Sequence, residues 1–170
     1  MTEVQQYEVV EDLPGFQLRR YAPHMIVTKP MPGSLSQSGN QAFGFLADYI
    51  FGNNAEGVKI AMTAPVLQQR TKDGFEVSFV MPKDLSSPPT PNTNLRVSKV
   101  GQKLMAAHRF SGSASDSLFE AKAKKLLEAV NSAGYTPISE VMFARYDGPW
   151  TLPLLRRNEV LVELASTEAR

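Results

Sequence analysis

The sequence contains few residues whose type and spacing could support chemistry. It has two histidines, His24 and His108, and no cysteine. The absence of cysteine excludes disulfides, iron–sulfur clusters, thiolate ligation of a metal and cysteine nucleophiles. The histidines are far apart and each falls in a predicted strand, where histidine serves other roles more often than it binds a metal. No glycine-rich nucleotide motif and no HExxH spacing occurs. We therefore predict no catalytic residue.

The composition is that of an ordinary globular protein without a strong charge. Its 170 residues suit one domain, residues 1–170, with a core large enough for a ligand slot. Because 18 basic residues face 17 acidic ones, we expect no general attraction to nucleic acid. The N-terminus lacks the pattern of a secretory signal, and no apolar run is long enough to span a membrane. We therefore expect a cytoplasmic location.

Hydrophobic periodicity indicates a series of strands and two amphipathic helices. Alternation and β-prone composition predict strands over residues 7–10, 16–21, 24–29, 58–68, 75–81, 95–100, 103–110, 141–146 and 159–164. Apolar residues at spacings of three and four predict helices over residues 36–51 and 116–133, each followed by a glycine. Ser117 and Glu120 fit a capping box for the second helix. The proline-rich residues 84–94 predict a solvated loop.

The order of elements is similar in residues 7–82 and 95–165. Each part has strands, one helix that ends at glycine, and two more strands. This pattern-level repeat predicts an α+β fold with two antiparallel sheets, one helix against each sheet, and a rough two-fold axis. The sheets would curl into a distorted barrel or sandwich.

Three segments resemble the SOUL/haem-binding-protein family. They are GNNAEGVKIAMTAPV at residues 52–66, FVMP at residues 79–82, and YDGPWTLPLLRRNEV at residues 146–160. The segments follow one another in the family's order, with nothing large inserted or missing. Three correctly spaced segments make the resemblance far more specific than one segment would.

The resemblance implies both a fold and a function. The fold is a distorted β-barrel of two four-stranded antiparallel sheets flanked by two helices, with a pseudo-two-fold internal repeat. The function is non-enzymatic binding of haem or another tetrapyrrole, in a shallow apolar groove between the first helix and the loop of residues 147–157. The ligand contacts it implies are Phe43, Leu46, Ala47, Ile50, Met62, Trp150, Leu152, Arg156 and Arg157. His24 and His108 are candidates for ligation of haem iron.

The chemistry of the apolar residues fits a tetrapyrrole and also fits plain packing. Haem is a flat apolar disc with two carboxylates, so its site needs an apolar slot with basic groups at the rim. Phe43, Leu46 and Ile50 stand at helical spacing, which more often serves a core. Met62 similarly suits a gap in a core. If the groove exists, Ile50→Glu should weaken binding with little loss of fold.

The two arginines also have two interpretations. Guanidinium groups match carboxylates well, so Arg156 and Arg157 could hold the acid groups of a tetrapyrrole. They also stand at the start of a predicted strand. In that position they could pair with Glu159 or Asp147 and only hold the loop.

The sequence departs from its haem-binding relatives at specific positions. Relatives carry basic residues where this chain has Asn40 and Asp48 on the first helix and Leu152 in the loop. A histidine proposed as an iron ligand in some relatives corresponds to Arg20 here. A different or neutral ligand is therefore also consistent with the sequence.

Two other functions remain open. The predicted architecture is similar to the gyrase-inhibitor and effector-binding domains of bacterial regulators, which suggests a protein partner or a small cationic or apolar effector. A buried acid in the groove would favour a cation, and Asp48 is the candidate that we identify. An enzyme that removes iron from haem is the third hypothesis.

Overall fold

The computed structural model describes residues 2–113 and 115–166 and shows an α+β fold of largely antiparallel strands with two helices. The elements are, in chain order, β1 (Glu3–Val4), β2 (Tyr7–Leu13), β3 (Phe16–Tyr21), β4 (His24–Pro32), α1 (Leu35–Ile50), β5 (Thr63–Ala64), β6 (Val66–Arg70), β7 (Gly74–Val80), β8 (Arg96–Val100), β9 (Lys103–Phe110), α2 (Asp116–Ser132), β10 (Met142–Arg145), a short 3₁₀ helix (Pro153–Leu155) and β11 (Asn158–Glu163). The chain divides into two compact units. The first contains the residues up to 5 together with 23–101, and the second contains 6–22 together with the chain from 102 onward.

The first unit is an antiparallel sheet covered by α1. Its strands are hydrogen-bonded in the order β6-β7-β4-β8, and α1 packs against β4 and β7. The helix begins where a capping box forms. The Ser34 hydroxyl accepts from the Gln37 amide, and the Gln37 side chain accepts from the Ser34 amide. This box starts the helix one residue earlier than the sequence predicted.

The strand predicted over residues 58–68 is wrong in its first half. Only β5 and β6 form there, on either side of Pro65. Proline has no N–H to give to a neighbouring strand, so it separates the two. Before β5, the Asn54 side chain donates to the Val58 carbonyl at 2.8 Å and accepts from the Val58 amide at 3.0 Å. This side chain supplies partners that a sheet would otherwise provide.

The proline-rich loop of residues 84–94 is mostly exposed, as predicted, but it is anchored. The Tyr49 hydroxyl donates to the Pro89 carbonyl at 2.6 Å, and Pro89 is buried. The Thr90 carbonyl accepts from the Ala55 amide at 2.9 Å. The loop is therefore tied to α1 and to the segment that follows it.

The second unit is an antiparallel sheet in the order β2-β3-β9-β11-β10, with α2 against β3, β9 and β11. Phe119 on α2 is fully buried and meets Phe110 and Phe143 edge-on, at centroid distances of 5.1 and 5.3 Å. The predicted cap of α2 is wrong by two residues, because Ser115 accepts from the Leu118 amide while Ser117 lies inside the helix.

The two helices and the antiparallel strands of the α+β prediction are confirmed. The single domain, the two four-stranded sheets and the internal repeat stay predictions. Among the described residues, no helix is long and apolar enough to cross a membrane.

Candidate functional site

The predicted contact residues of α1 divide into a buried set and an exposed one. Leu46, Ala47 and Ile50 are buried in the first unit. Phe43 is 45% exposed, and its ring lies edge-on to Phe79 at 5.4 Å. Burial of Leu46 and Ile50 is what packing on the sheet requires, so ligand contact by these two residues stays a prediction. Ile50→Glu would place a charge in the core, and we expect it to unfold the protein rather than to test binding.

Two exposed aromatic residues of this region were not predicted from the sequence, and the first is Phe45 on α1, which is 47% exposed. The second is Phe51, the residue that caps α1, which is 68% exposed. Phe43, Ala47 and Phe51 recur at intervals of four, so they follow one flank of the helix over about 12 Å. The signal was the same spacing that predicted the core stripe, which cannot by itself distinguish a buried flank from an exposed one.

The polar residues of α1 offer no positive charge. Asn40 and Asp48 are both exposed, and Asp48 accepts a hydrogen bond from the Asn53 side chain. No lysine or arginine occurs in α1. Met62, the predicted contact just before β5, is half-buried. The helix itself therefore supplies no partner for a carboxylate, and a nearby cation is Lys29 of β4, 4.7 Å from the centre of the Phe45 ring.

The segment of residues 147–157 in the second unit holds large apolar side chains in solvent. Trp150 is 85% exposed and Leu154 is 84% exposed, and Leu152 and Leu155 are exposed as well. Arg156 fastens this segment from within. Its Nε donates to the Thr151 carbonyl at 2.8 Å, and its Nη2 donates to the Pro149 carbonyl at 3.1 Å. Arg156 thus holds the loop, which is the second of the two interpretations given for it.

Further contacts fix the same segment at both ends. The Asp147 carboxylate accepts from the Arg157 amide at 2.6 Å, and the Pro153 carbonyl accepts from the Gly112 amide at 2.9 Å. The Trp150 ring lies so close over Gly148 that a Cβ atom there would be 2.3 Å from the ring. The exposed apolar side chains therefore stand on an ordered backbone.

Beside this segment, Glu159 on β11 is a carboxylate with no exposed surface. Arg19 on β3 donates to both of its oxygens, each at 2.8 Å. Arg157 adds bonds from Nε at 3.2 Å and Nη2 at 3.0 Å to Oε2, and the Tyr146 hydroxyl donates to Oε1 at 2.9 Å. Five donors thus surround one acid. Arg157 pairs with Glu159, as the second interpretation of the arginines had it.

The surroundings of Glu159, Tyr21 and Tyr146 shift the pKa of these three groups. Burial by itself would raise the pKa of Glu159, but the hydrogen bonds and charges of Arg19 and Arg157 outweigh it and hold this pKa below its ordinary value. Burial raises the pKa of Tyr21, which accepts from Arg19, to about 12. Burial and the charge of Glu159 raise the pKa of Tyr146. The carboxylate is therefore ionised and the tyrosines neutral at pH 7.

Two aromatic rings complete the cluster. The Arg19 guanidinium lies 4.0 Å from the centre of the Tyr7 ring, and the Arg157 guanidinium lies 3.9 Å from that of Tyr146. Arg157 also donates to the Tyr7 hydroxyl at 2.9 Å. Two arginines share one carboxylate, so the cluster of Tyr7, Arg19, Tyr146, Arg157 and Glu159 carries one positive charge in excess.

A cleft of about 390 Å³ opens in the same unit. Its lining includes Tyr7, Gln17, Arg19, His108 and Arg109. That volume is at the lower end of the range for small-molecule sites. Of its basic groups, Arg109 is exposed and Arg19 is almost fully buried. The cleft thus combines a tyrosine ring with guanidinium groups.

The two candidate iron ligands have different surroundings. His24 begins β4 and is half-buried in the first unit. His108 on β9 is half-buried in the second unit, where burial and then the charge of Lys122 lower its pKa, which leaves the imidazole neutral at pH 7. Within residues 2–113 and 115–166, no group of three or more potential metal ligands occurs. Iron ligation by either histidine stays a prediction.

Comparison with solved structures identifies a shared fold. The EcmrR C-terminal domain aligns with a TM-score of 0.65 and 14% identity, covering 94% of this chain and 98% of that one. SAV2435 bound to tetraphenylphosphonium aligns with a TM-score of 0.50 and 15% identity, covering 91% and 96%. A hydrolase from Listeria innocua aligns with a TM-score of 0.55 and 7% identity, covering 87% and 91%. At these identities the likeness shows the fold alone.

Comparison with curated protein sequences gave no match. Comparison with protein families gave a match that covers nearly the whole chain. The model of the SOUL heme-binding protein family matches residues 2–163, which include all three segments whose resemblance was noted from the sequence. This chain belongs to the SOUL heme-binding protein family.

Proposed function

We propose that the chain binds haem or another tetrapyrrole without changing it chemically, as a carrier or buffer. The observation that carries this proposal is the exposed apolar flank of α1 in a member of a heme-binding family. A flat apolar ligand needs such a surface, and an aromatic side chain at each end of it suits a macrocycle. The macrocycle would lie against the exposed rings of Phe43 and Phe51, across the buried Ala47 between them. This surface suits the apolar ring system of the macrocycle, and we assign no axial ligand to its iron.

Within the second unit, the charges around Glu159 support an anionic or neutral ligand over a cationic one. Helix α1 has no basic residue, so it cannot supply the partner of a propionate. In the second unit, Arg19 and Arg157 together leave one positive charge unmatched around Glu159. The segment of residues 147–157 is the second surface that the family resemblance implicates, through Trp150 and Leu152, and it needs variants of its own.

A hemin titration tests this function directly. The Soret band reports on haem, and Trp150, the only tryptophan, reports on the protein through quenching of its fluorescence. We expect a saturable, stoichiometric Soret shift with matching quenching, and competition by protoporphyrin. A linear, unsaturable response would contradict the proposal, because it is the behaviour of hemin adhering to apolar surface.

Phe51→Glu is the variant that separates the flank of α1 from other surfaces. Losing a buried aromatic contact costs about 1.5–3 kcal/mol, so we expect hemin affinity to fall roughly tenfold to a hundredfold. Val58→Glu is the matched control, since Val58 is another exposed apolar residue of the first unit. An equal effect of both substitutions would show that the flank is not the site.

The same titration followed over time separates binding from turnover. Iron removal from haem would convert the spectrum to that of the free porphyrin. We expect the spectrum of the complex to remain that of haem for hours.

A second candidate function, binding of a small effector, is favoured by the cleft of the second unit. Its exposed Arg109 suits an acid group, and its Tyr7 suits an aromatic ring. Glu159 is a buried acid of the kind that would favour a cation, but Arg19 and Arg157 already neutralise it. We therefore expect tetraphenylphosphonium, the ligand of a protein with the same fold, not to bind. Saturable binding of that cation would favour the effector function over the tetrapyrrole.

A further inference from the structure

The most exposed apolar side chains of the second unit are concentrated in one short segment. Trp150, Leu152, Leu154 and Leu155, here named the apolar tip, are 85, 67, 84 and 72% exposed. Other exposed apolar residues of this unit, such as Ile138 at 56%, are less exposed. Apolar residues scattered singly over a surface are usual, whereas four large ones within six positions usually mark an interaction site.

The backbone beneath the apolar tip is held in place. Arg156 donates to two of its carbonyl groups, the Gly112 amide donates to a third, and the Asp147 carboxylate accepts from the amide of Arg157. A segment that is tied down in this way cannot fold its apolar side chains back onto the protein without losing those hydrogen bonds. The apolar tip is therefore presented to solvent by the fold itself.

The degree of exposure indicates what the tip fits. A side chain that lines a pocket is covered by the opposite wall, but side chains exposed by two thirds or more have no such wall. Such side chains project from the surface. A projecting apolar group is buried most simply in the acyl chains of a lipid bilayer, which adapt to its shape. Tryptophan beside leucine is the composition that favours the interface between lipid headgroups and acyl chains.

The charges beside the apolar tip are complementary to an anionic surface. Beside the apolar tip, the half-buried Arg156 and Arg157 stand against the exposed Asp147. The neighbouring Glu159 has no exposed surface and is shared between Arg19 and Arg157. Basic groups near a bilayer attract anionic headgroups while apolar neighbours insert.

We propose that the apolar tip docks this protein on anionic lipid bilayers. The leucine and tryptophan side chains enter the interface, and the positive charge of Arg156 and Arg157 behind them attracts lipid phosphates and carboxylates. The docking is peripheral and reversible. It does not require a bound tetrapyrrole, since the apolar tip is exposed and its charges are present in the free chain.

The position of Trp150 makes the test direct. The full chain, free of tetrapyrrole, is titrated with vesicles of equal parts phosphatidylcholine and phosphatidylserine, and then with vesicles of phosphatidylcholine alone. We expect a blue shift of Trp150 emission, quenching by lipids brominated on the acyl chain, and flotation of the protein with the anionic vesicles. Weaker binding to the neutral vesicles and at high salt is expected from the charges.

Leu154→Glu and Ile138→Glu form the matched pair of variants. Both place a carboxylate at an exposed apolar position of the second unit, but only Leu154 belongs to the apolar tip. We expect Leu154→Glu to weaken partition about tenfold and Ile138→Glu to leave it unchanged. Equal melting temperatures would show that both variants fold.

Three results would overturn the proposal. The first is no change in Trp150 emission or flotation with anionic vesicles. The second is an equal loss of partition in the two variants. The third is self-association that Leu154→Glu abolishes without any lipid binding, which would assign the apolar tip to a second copy of the chain. None of these results depends on the hemin titration, so failure here and failure of tetrapyrrole binding are distinguishable.

Discussion

Replacing Arg19 by methionine should destabilise the protein strongly, because it removes the main partner of an acid that has no exposed surface. The substitution deletes two hydrogen bonds of 2.8 Å to Glu159, one of 2.9 Å to Tyr21 and one of 2.8 Å to Gln17. Breaking a buried ion pair from one side typically costs about 3–5 kcal/mol. Arg157 and Tyr146 still donate to Glu159 in the variant. We therefore expect about 3 kcal/mol, and a melting temperature lower by roughly 6–12 °C.

The pH dependence gives this prediction a second, independent readout. The folded state lowers the pKa of Glu159, so this group stabilises the protein above its ordinary pKa of 4.5 and less as the pH falls through its folded pKa. In Arg19→Met that lowering is reduced. The stability difference between the variant and the wild type should therefore be full at pH 7 and should shrink below pH 4.5.

A double-mutant cycle in urea is the assay that isolates the pair. Arg19→Met, Glu159→Gln and the double variant are unfolded at pH 7, and the coupling free energy is taken from the four stabilities. We expect a coupling of at least about 2 kcal/mol. A loss below about 1 kcal/mol in Arg19→Met, or a coupling near zero, would refute the argument that burial makes this pair essential.

Three further substitutions test local features. Ser115→Ala should cost about 1 kcal/mol in thermal or urea unfolding and Ser117→Ala almost nothing, since only Ser115 caps α2; equal losses would contradict the cap. Gly148→Ala should displace the Trp150 ring and lower its fluorescence anisotropy without changing the melting temperature by more than a few degrees, and unchanged anisotropy would count against the contact. Tyr49→Phe should cost about 1 kcal/mol and increase proteolysis within residues 84–94, because it removes the hydroxyl that anchors this loop; an intact loop would argue otherwise.

Much of the fold was predictable, because the periodic spacing of apolar residues reflects which side chains are buried. The strand over residues 16–21 and the strand over residues 103–110 have the predicted bounds, and both helices begin within one residue of theirs. The failures have local causes. Pro65 interrupted a run that looked continuous, and Ser115 displaced Ser117 as the cap through a contact of a single hydroxyl.

The candidate site was less predictable, because the spacing of apolar residues does not show which of them other parts of the protein cover. Phe43 and Leu46 belong to one apolar stripe in the sequence, yet the first is exposed and the second is buried. Arg19 shares one face of an alternating strand with Gln17 and Tyr21, which suggests exposure to solvent, but it is 3% exposed. Its partner Glu159 is 140 positions away, and no local sequence pattern predicts a contact over that separation.

The cluster around Glu159 also constrains how this sequence can change. Its five members come from three distant stretches of the chain, around residues 7, 19 and 146–159. Losing either arginine removes two hydrogen bonds to a fully buried acid, whereas losing the acid leaves two buried or half-buried cations close together. Tolerated substitutions at these positions should therefore occur in concert. We expect strong epistasis in a pairwise mutational scan. A substitution that is harmful alone should be tolerated when a second member of the cluster is substituted as well.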